Sequence, residues 1–233
     1  MLTLWIANKN YSSWSLRPWV AMREAGIDFV ERKIRFGDAA AWEVFRARSP
    51  NGLVPMLEDG DIRVADSLAI IEHLAEIHPV LWPEDRAARA FARSAAAMMH
   101  SGYAALRDTC TMNVGTRARV RDMPPAVLRD LDDLAALWTR GLATFGGPFL
   151  AGERFTAADA FFCPVAFRVQ TYGLTVPGDV ASAYVKRLLD VPSMQDWQAR
   201  ALAETFRDAP HEEDLAKKAE ILEDLRISER SAT

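Results

Sequence analysis

Three hydroxyl side chains follow one another near the start of the chain, at Tyr11, Ser12 and Ser13. They fall in a polar, turn-like segment between the apolar run Leu2–Ile6, which predicts a strand, and a helix that we expect to have Pro18 in its first turn. A hydroxyl can donate a hydrogen bond to a bound thiolate, and a hydrogen bond to a charged group contributes roughly 1.5–3 kcal/mol. Because one pKa unit corresponds to about 1.36 kcal/mol, one such donor can lower the pKa of a ligand's thiol by roughly one to two units from about 8.5.

Two further positions have the chemistry to anchor an extended, charged ligand. Val54-Pro55 opens a predicted strand, and a cis bond there would turn the N–H and C=O of Val54 outward, where an extended peptide can pair with them. Asp66-Ser67 opens a predicted helix, whose first N–H groups and dipole favour an anion. The alternatives are a trans proline that marks a strand end and an ordinary helix cap.

Reactive cysteine and metal chemistry find little support in the sequence. The hydroxyl segment has no cysteine, which disfavours thiol–disulfide exchange by a protein thiol. Cys110 and Cys163 lie far apart, match no metal or redox spacing, and are expected to be packed thiols in a reduced, cytosolic protein. The four histidines share no ligand spacing, so we predict no metal site.

The elements that must position these groups form an α/β pattern in the first third of the chain. The order is β-α-β-α-β-β-α, ending in a helix from Ser67 to His78. A helix joins the first two strands, which favours a parallel pair, whereas Asp59-Gly60-Asp61 joins the last two as an antiparallel hairpin. This is the thioredoxin-like arrangement, and we assign it to residues 1–78.

The rest of the chain predicts a second, all-α domain. Residues 79–85 contain two prolines and no helical period, so they read as a linker, and residues 86–210 read as helices. The expected helices are 86–113, 125–145, 157–171, 178–189 and 192–204. Thr156 and Asp159 form a variant of the capping box, for which we expect a structural role. Residues 211–233 are charge-rich and predict a loosely docked helix or a disordered tail.

These motifs together resemble the glutathione S-transferase family. The resemblance rests on NGLVP before a strand, on DSLAIIEHL after it, and on SSWSLRPWVAMREAGI, which is similar to the SSCSWR-type motif of the zeta class. It covers residues 1–78 by motif, and the remainder by architecture and by the capping box. It implies that glutathione is the co-substrate.

The resemblance also implies a role for each candidate site residue. Ser12 would stabilise the glutathione thiolate, Val54 at the Val54-Pro55 bond would pair with the cysteinyl backbone, and Asp66 and Ser67 would hold the γ-glutamyl end. Two other hydroxyl groups near Ser12 remain alternatives. Ser13 is its near neighbour, and other classes use a tyrosine near the position of Tyr11. Trp14 falls where zeta enzymes carry a cysteine.

The function implied is activation of the glutathione thiol for attack on small electrophiles. The alternatives are zeta-type isomerisation of maleylacetoacetate, which Trp14 weakens, and a non-catalytic binding or assembly module of the same fold. The electrophile would bind between the domains, where Met99, Tyr103 and Arg107 fall at i, i+4 and i+8. Family members are usually homodimers, so we expect a homodimer.

Composition bears on partners and location. The net charge of -4 is mild and gives no electrostatic footprint for nucleic acid. No apolar run reaches the roughly 20 residues that span a bilayer, and the first residues do not have the pattern of a secretion signal. We therefore expect a cytoplasmic protein with neither a nucleic-acid nor a membrane partner.

Overall fold

A computed structural model of the protein describes residues 1–227. Its N-terminal part has the predicted element order: β1 (Leu2–Ile6), α1 (Ser13–Glu24), β2 (Phe29–Lys33), α2 (Ala39–Arg46), β3 (Met56–Asp59), β4 (Ile62–Ala65) and α3 (Ser67–Ala75). The four strands form one sheet in the order β2-β1-β3-β4. β1 is parallel to β2 and antiparallel to β3, so that Leu4 lies between Glu31 and Leu57, and β3–β4 is the expected hairpin.

The first helix begins earlier than the sequence predicted. We expected Pro18 in its first turn, but α1 starts at Ser13 and contains Pro18 in its interior. The one N–H that proline lacks leaves a single carbonyl without its helical partner, and the burial of Leu16, Trp19 and Val20 offsets that loss. The consequence is that Ser12, as the N-cap residue, lies directly at the positive end of the helix dipole.

Helices dominate the rest of the described chain. After a single 3₁₀ turn at Pro79–Leu81 come α4 (Arg86–Ser101), α5 (Ala104–Thr109), α6 (Pro125–Phe145), α7 (Ala157–Tyr172), α8 (Asp179–Asp190) and α9 (Pro192–Leu202). The long helix expected over 86–113 is wrong: it breaks at Gly102, and Tyr103 takes a left-handed conformation with φ 56°. As predicted, α7 is the central helix; it is buried nearly all round and carries the capping box of Thr156 and Asp159.

The sequence analysis missed a second, two-stranded sheet. β5 (Thr116–Val120) pairs antiparallel with β6 (Ala219–Asp224), which directly follows α10 (Ala209–Lys218). The tail is therefore not loosely docked over residues 211–227: Leu215 is fully buried, and Arg226 is almost inaccessible. Residues 228–233, also part of the predicted tail, lie outside the described residues. No helix within residues 1–227 is long and apolar enough to cross a bilayer.

Candidate active site

All five candidate site residues line one cavity of about 470 Å³. They come from three places in the N-terminal part: Ser12 precedes α1, Val54 and Pro55 precede β3, and Asp66 and Ser67 open α3. The three segments meet because β1 lies beside β3, and β3 beside β4, in the sheet. The opposite wall of the cavity comes from α5, α7 and α10.

Ser12 combines a hydroxyl with the positive end of a helix. Its side chain is only slightly exposed, and it makes no capping hydrogen bond to α1. Its hydroxyl donates to the Oγ of Ser15 at 2.7 Å, and that same oxygen accepts from the amide of Ala7 at 3.2 Å. If Ser15 donated to Ser12 instead, the proton of Ser12 would be free for an acceptor in the cavity. The sequence analysis did not select Ser15, although it lies one helical turn from Ser12.

The hydroxyl of Tyr11, the alternative thiol donor, is already hydrogen-bonded to other protein groups. Its hydroxyl donates to Glu212 at 2.5 Å and accepts from the Arg226 side chain at 3.0 Å and the Asp208 amide at 3.3 Å. Burial and the hydrogen bond to Glu212 raise the pKa of Tyr11 to about 12. Its ring stacks on that of His211, with the ring centroids 4.8 Å apart. Because its hydroxyl already has three partners, Tyr11 is a poor candidate for donating a proton to a ligand.

The Val54-Pro55 peptide bond is cis, as the resemblance implied. Pro55 is buried, while Val54 is half-buried at the cavity wall. The preceding turn is held by its own side chains: Asn51 accepts from the Leu53 amide at 2.9 Å, and Ser49 accepts from the Gly52 amide at 3.1 Å. The backbone of Val54 has no hydrogen bond to any other part of residues 1–227. An extended peptide therefore has both groups of Val54 available to it.

Asp66 and Ser67 have different roles at the start of α3. The Asp66 carboxylate accepts from the amides of Leu68 at 2.7 Å and Ala69 at 3.3 Å, so it caps the helix. Asp66 also has φ 82°, a conformation that costs an L residue of order 1–3 kcal/mol. The Ser67 hydroxyl is fully buried and has no hydrogen-bond partner within residues 1–227. A hydroxyl and an amide at Ser67 are thus the groups left to bind a carboxylate here.

Arginine side chains dominate the opposite wall. Arg107 and Arg168 line the cavity from this wall. Arg17 belongs to α1 and does not line the cavity itself, but its guanidinium lies 4.0 Å from the ring centroid of Trp14, which does. Burial lowers the pKa of Arg17 to about 9 and that of Arg168 to about 10, which leaves both charged at neutral pH. Within residues 1–227, no carboxylate lies within ion-pair distance of any of the three. This side of the cavity therefore favours an anionic group.

Of the three residues that the sequence analysis placed on this wall, only one lines the cavity. Arg107 lines the cavity, but Met99 is fully buried in the core, and Tyr103 lines a different cleft between α4 and α6. The break at Gly102 explains the difference, because the i, i+4, i+8 spacing holds only along an unbroken helix. The analysis also missed Arg168 and His211, which come from distant segments and carry no local signal.

The cysteines are packed thiols, as expected. Cys110 and Cys163 are both free and fully buried, and burial raises the pKa of the Cys110 thiol to about 12. Neither lines the cavity. In the described part of the chain, no group of three or more histidine, cysteine, aspartate or glutamate side chains could hold a metal ion.

Comparison with known proteins identifies the family. Residues 11–77 match the family model for the glutathione S-transferase N-terminal domain. A zeta-class glutathione S-transferase of Euphorbia esula is 30% identical over 159 residues, which cover 66% of this chain and 70% of the relative. A maleylacetoacetate isomerase of Rattus norvegicus is 26% identical over 191 residues, which cover 79% of this chain and 87% of the relative.

Solved structures agree with this result. The crystal structure of a theta class glutathione S-transferase from Xanthomonas axonopodis pv. citri, with glutathione bound, has a TM-score of 0.60 and 26% identity. The match covers 84% of this chain and 95% of that one. It confirms the predicted class, a thioredoxin-like part followed by a helical part. This chain belongs to the glutathione S-transferase family.

Proposed function

We propose that the protein is a glutathione transferase, which activates the thiol of glutathione for attack on small electrophiles. One observation carries the proposal: a single cavity combines a serine at a helix N-terminus with a backbone edge at Val54 and a hydroxyl at Ser67 that both lack a hydrogen-bond partner within residues 1–227. These groups match, in order, a thiolate, an extended peptide backbone and a carboxylate. Glutathione has all three, and the related theta class enzyme was crystallised with it.

The chemistry assigned to Ser12 is stabilisation of the thiolate. A hydroxyl that donates only to the charged form lowers the pKa of the thiol, and the dipole of α1 acts in the same direction. When Ser12 donates to the sulphur instead of to Ser15, the Ser15 hydroxyl can reverse the bond between them and donate to the Ser12 oxygen. At Ser67, the amide and hydroxyl bind the γ-glutamyl carboxylate, while Asp66 caps the helix through Oδ1. Its Oδ2, which lies 3.4 Å from the Nε2 of His100, is the group offered to the ammonium.

A second candidate activity is isomerisation of a carboxylate-bearing substrate such as maleylacetoacetate. The observation that favours it is the arginine wall, where Arg107 and Arg168 face the cavity without a carboxylate partner in residues 1–227. The rat relative is named for this activity. Direct assay of maleylacetoacetate beside a neutral chloronitroarene separates the two activities.

The division of the chain and its assembly are also proposals. Residues 1–78 form the glutathione-binding domain, 79–85 the linker and 86–210 the helical domain that supplies most of the electrophile side. Residues 211–233 are a C-terminal segment, in which His211 also lines the cavity and β6 pairs with β5. A cytoplasmic location agrees with two buried, unpaired cysteines. A homodimer is expected from the family, and light scattering of the purified protein tests it.

Turnover with a chloronitroarene tests the main proposal. Ser12→Ala should lower kcat/KM about 10- to 100-fold at neutral pH, because it removes a hydrogen bond to a charged sulphur, while glutathione binding persists. Ser94→Ala is the matched control, since within residues 1–227 that exposed hydroxyl bonds only the carbonyl of Ala90 in its own helix. Unchanged turnover in Ser12→Ala would remove Ser12 from the mechanism, and a wild-type protein that neither binds nor conjugates glutathione would refute the function.

A further inference from the structure

We propose that Arg226 is a positioning residue for thiol activation: it holds Tyr11, and through Tyr11 the turn that presents Ser12. The inference rests on the proposed function of Ser12 and extends it to the last segment of the described chain. Arg226 is over 200 residues from Ser12 in sequence and does not line the cavity. It therefore acts through other residues.

The Arg226 guanidinium uses every N–H it has. Its Nε and Nη2 donate to the two oxygens of Asp224 at 2.8 and 2.7 Å, and its Nη1 and Nη2 donate to the two oxygens of Glu212 at 2.6 and 2.9 Å. The fifth bond, from Nη1, goes to the Tyr11 hydroxyl at 3.0 Å. Its side chain is only 2% exposed. Bidentate pairs of this kind fix geometry as well as charge, and lysine cannot reproduce them.

Glycine at position 115 makes room for this side chain. A Cβ on Gly115 would lie 2.2 Å from the Cγ of Arg226 and 2.6 Å from its Cδ, which is closer than real atoms approach. The Leu225 amide also donates to the Gly115 carbonyl at 2.8 Å, so the backbone next to Arg226 is held against Gly115. Any side chain at position 115 must therefore displace Arg226. This requirement gives a way to move the arginine without changing a charged group, and the same Cβ would lie 3.1 Å from the Oδ1 of Asn10.

A second set of hydrogen bonds connects the turn before Ser12 to the same segment of the chain. The side chain of Asn10 accepts from the Gly115 amide at 2.7 Å and donates to Asn113 at 2.9 Å. Asn113 donates to Glu212 at 3.4 Å. Tyr11 and Asn10 are thus both fastened to the segment that Arg226 organises, and Ser12 follows them directly. A shift in this turn would move the Ser12 hydroxyl away from the sulphur, and misplacement by about 1 Å can cost about 100-fold in rate.

The charges around Tyr11 also matter to a nearby thiolate. Glu212, Asp224 and Asp208 supply negative charge, and the His211 ring pairs with Asp208 at 2.5 Å between Nδ1 and Oδ2. Burial alone would lower the pKa of Arg226, but its hydrogen bonds to Glu212 and Asp224 raise it, so it stays cationic. Arg226 therefore offsets part of the negative charge of Glu212 and Asp224. With the arginine displaced, those carboxylates would disfavour a second anion in the cavity.

The test measures the pKa of the thiol of bound glutathione, by thiolate absorbance, in wild type, Arg226→Lys and Gly115→Ala. Both variants should raise that pKa by about one unit, which lowers kcat/KM about tenfold at pH values below the thiol pKa. The deficit should vanish at high pH, where the thiolate forms without help. Arg121→Lys is the matched control, because Arg121 also bonds α10, at the carbonyls of Ala216 and Lys217, but contacts no part of the turn.

Each outcome decides one point. A lowered thiol pKa in wild type that both variants leave unchanged overturns the role of Arg226 alone, even if the variants melt at lower temperature. A thiol pKa that is not lowered in wild type overturns the proposed role of Ser12 and this inference with it. Should both variants fail to fold, Tyr11→Phe removes only the hydroxyl from the network. It should then give a smaller shift in the same direction, and no shift would refute the inference.

Discussion

Replacing Ser67 by alanine separates binding from stability at the start of α3. The Ser67 hydroxyl is fully buried without a partner in residues 1–227, so its removal relieves a polar group that the folded protein leaves unsatisfied. An unsatisfied buried polar group costs about 1–3 kcal/mol. We therefore expect the ligand-free Ser67→Ala protein to be at least as stable as wild type.

Glutathione binding should change in the opposite direction. A hydrogen bond from Ser67 to a carboxylate contributes about 1.5–3 kcal/mol, so its loss should weaken glutathione binding about 10- to 100-fold. At a ligand concentration about 100 times the wild-type Kd, glutathione stabilises wild type by about 2.7 kcal/mol. A variant that binds tenfold more weakly would keep only about 1.4 kcal/mol of this stabilisation. Titration calorimetry measures the Kd, and thermal melts with and without glutathione measure the stabilisation.

Ser193→Ala is the matched control for this experiment. Ser193 also has a buried, unpartnered hydroxyl in the described chain, and it is the second residue of α9, away from the cavity. Its replacement should affect stability in the same direction and leave glutathione affinity unchanged. The reasoning is refuted if Ser67→Ala binds glutathione as wild type does, or if both serine variants lose affinity equally.

Three further predictions follow from the same structure. Tyr11→Phe should lower turnover only a few-fold, because the Tyr11 hydroxyl is held by Glu212 and Arg226; a loss as large as that of Ser12→Ala in the same steady-state assay would make Tyr11 the thiol donor. Arg107→Met should lower kcat/KM about 10- to 100-fold for a carboxylate-bearing electrophile and little for a neutral one; equal losses would exclude the arginine wall as an anion subsite. Burial lowers the pKa of Lys9 from 10.5 to about 8, so between those values the folded state binds fewer protons than the unfolded state and stability rises with pH. The free energy of unfolding of wild type should therefore rise relative to that of Lys9→Met, by up to about 3 kcal/mol from pH 8 to 10.5; parallel curves from denaturant titrations would contradict it.

The N-terminal third was predictable because its signals are local. Asp59-Gly60 fixes the hairpin, Asp66 caps the helix that follows it, and cis Val54-Pro55 sits within one short motif. Where the local signal was ambiguous, the prediction failed. Pro18 reads as a helix start, but the buried face of α1 extends the helix to Ser13. Gly102 falls inside the helix predicted over 86–113, but it ends α4.

The opposite side of the site was not predictable in the same way. The contact between Tyr11 and Arg226 spans 215 residues, and the pairing of β5 with β6 spans about 100. No propensity or spacing rule carries such information, because each partner alone looks like an ordinary polar residue. Spacing gave a partial signal, because Arg107 was selected by its position on the predicted helix. Arg168, on the nearly all-buried α7, was interpreted only as part of a core helix.

A crystal structure of the protein with glutathione tests the central claim most directly. The account predicts the sulphur within hydrogen-bond distance of the Ser12 hydroxyl, the cysteinyl backbone paired with Val54, and the γ-glutamyl carboxylate on the amide and hydroxyl of Ser67. A peptide that lies along Val54 with its sulphur beside another group, or that leaves Ser67 without a contact, would contradict it.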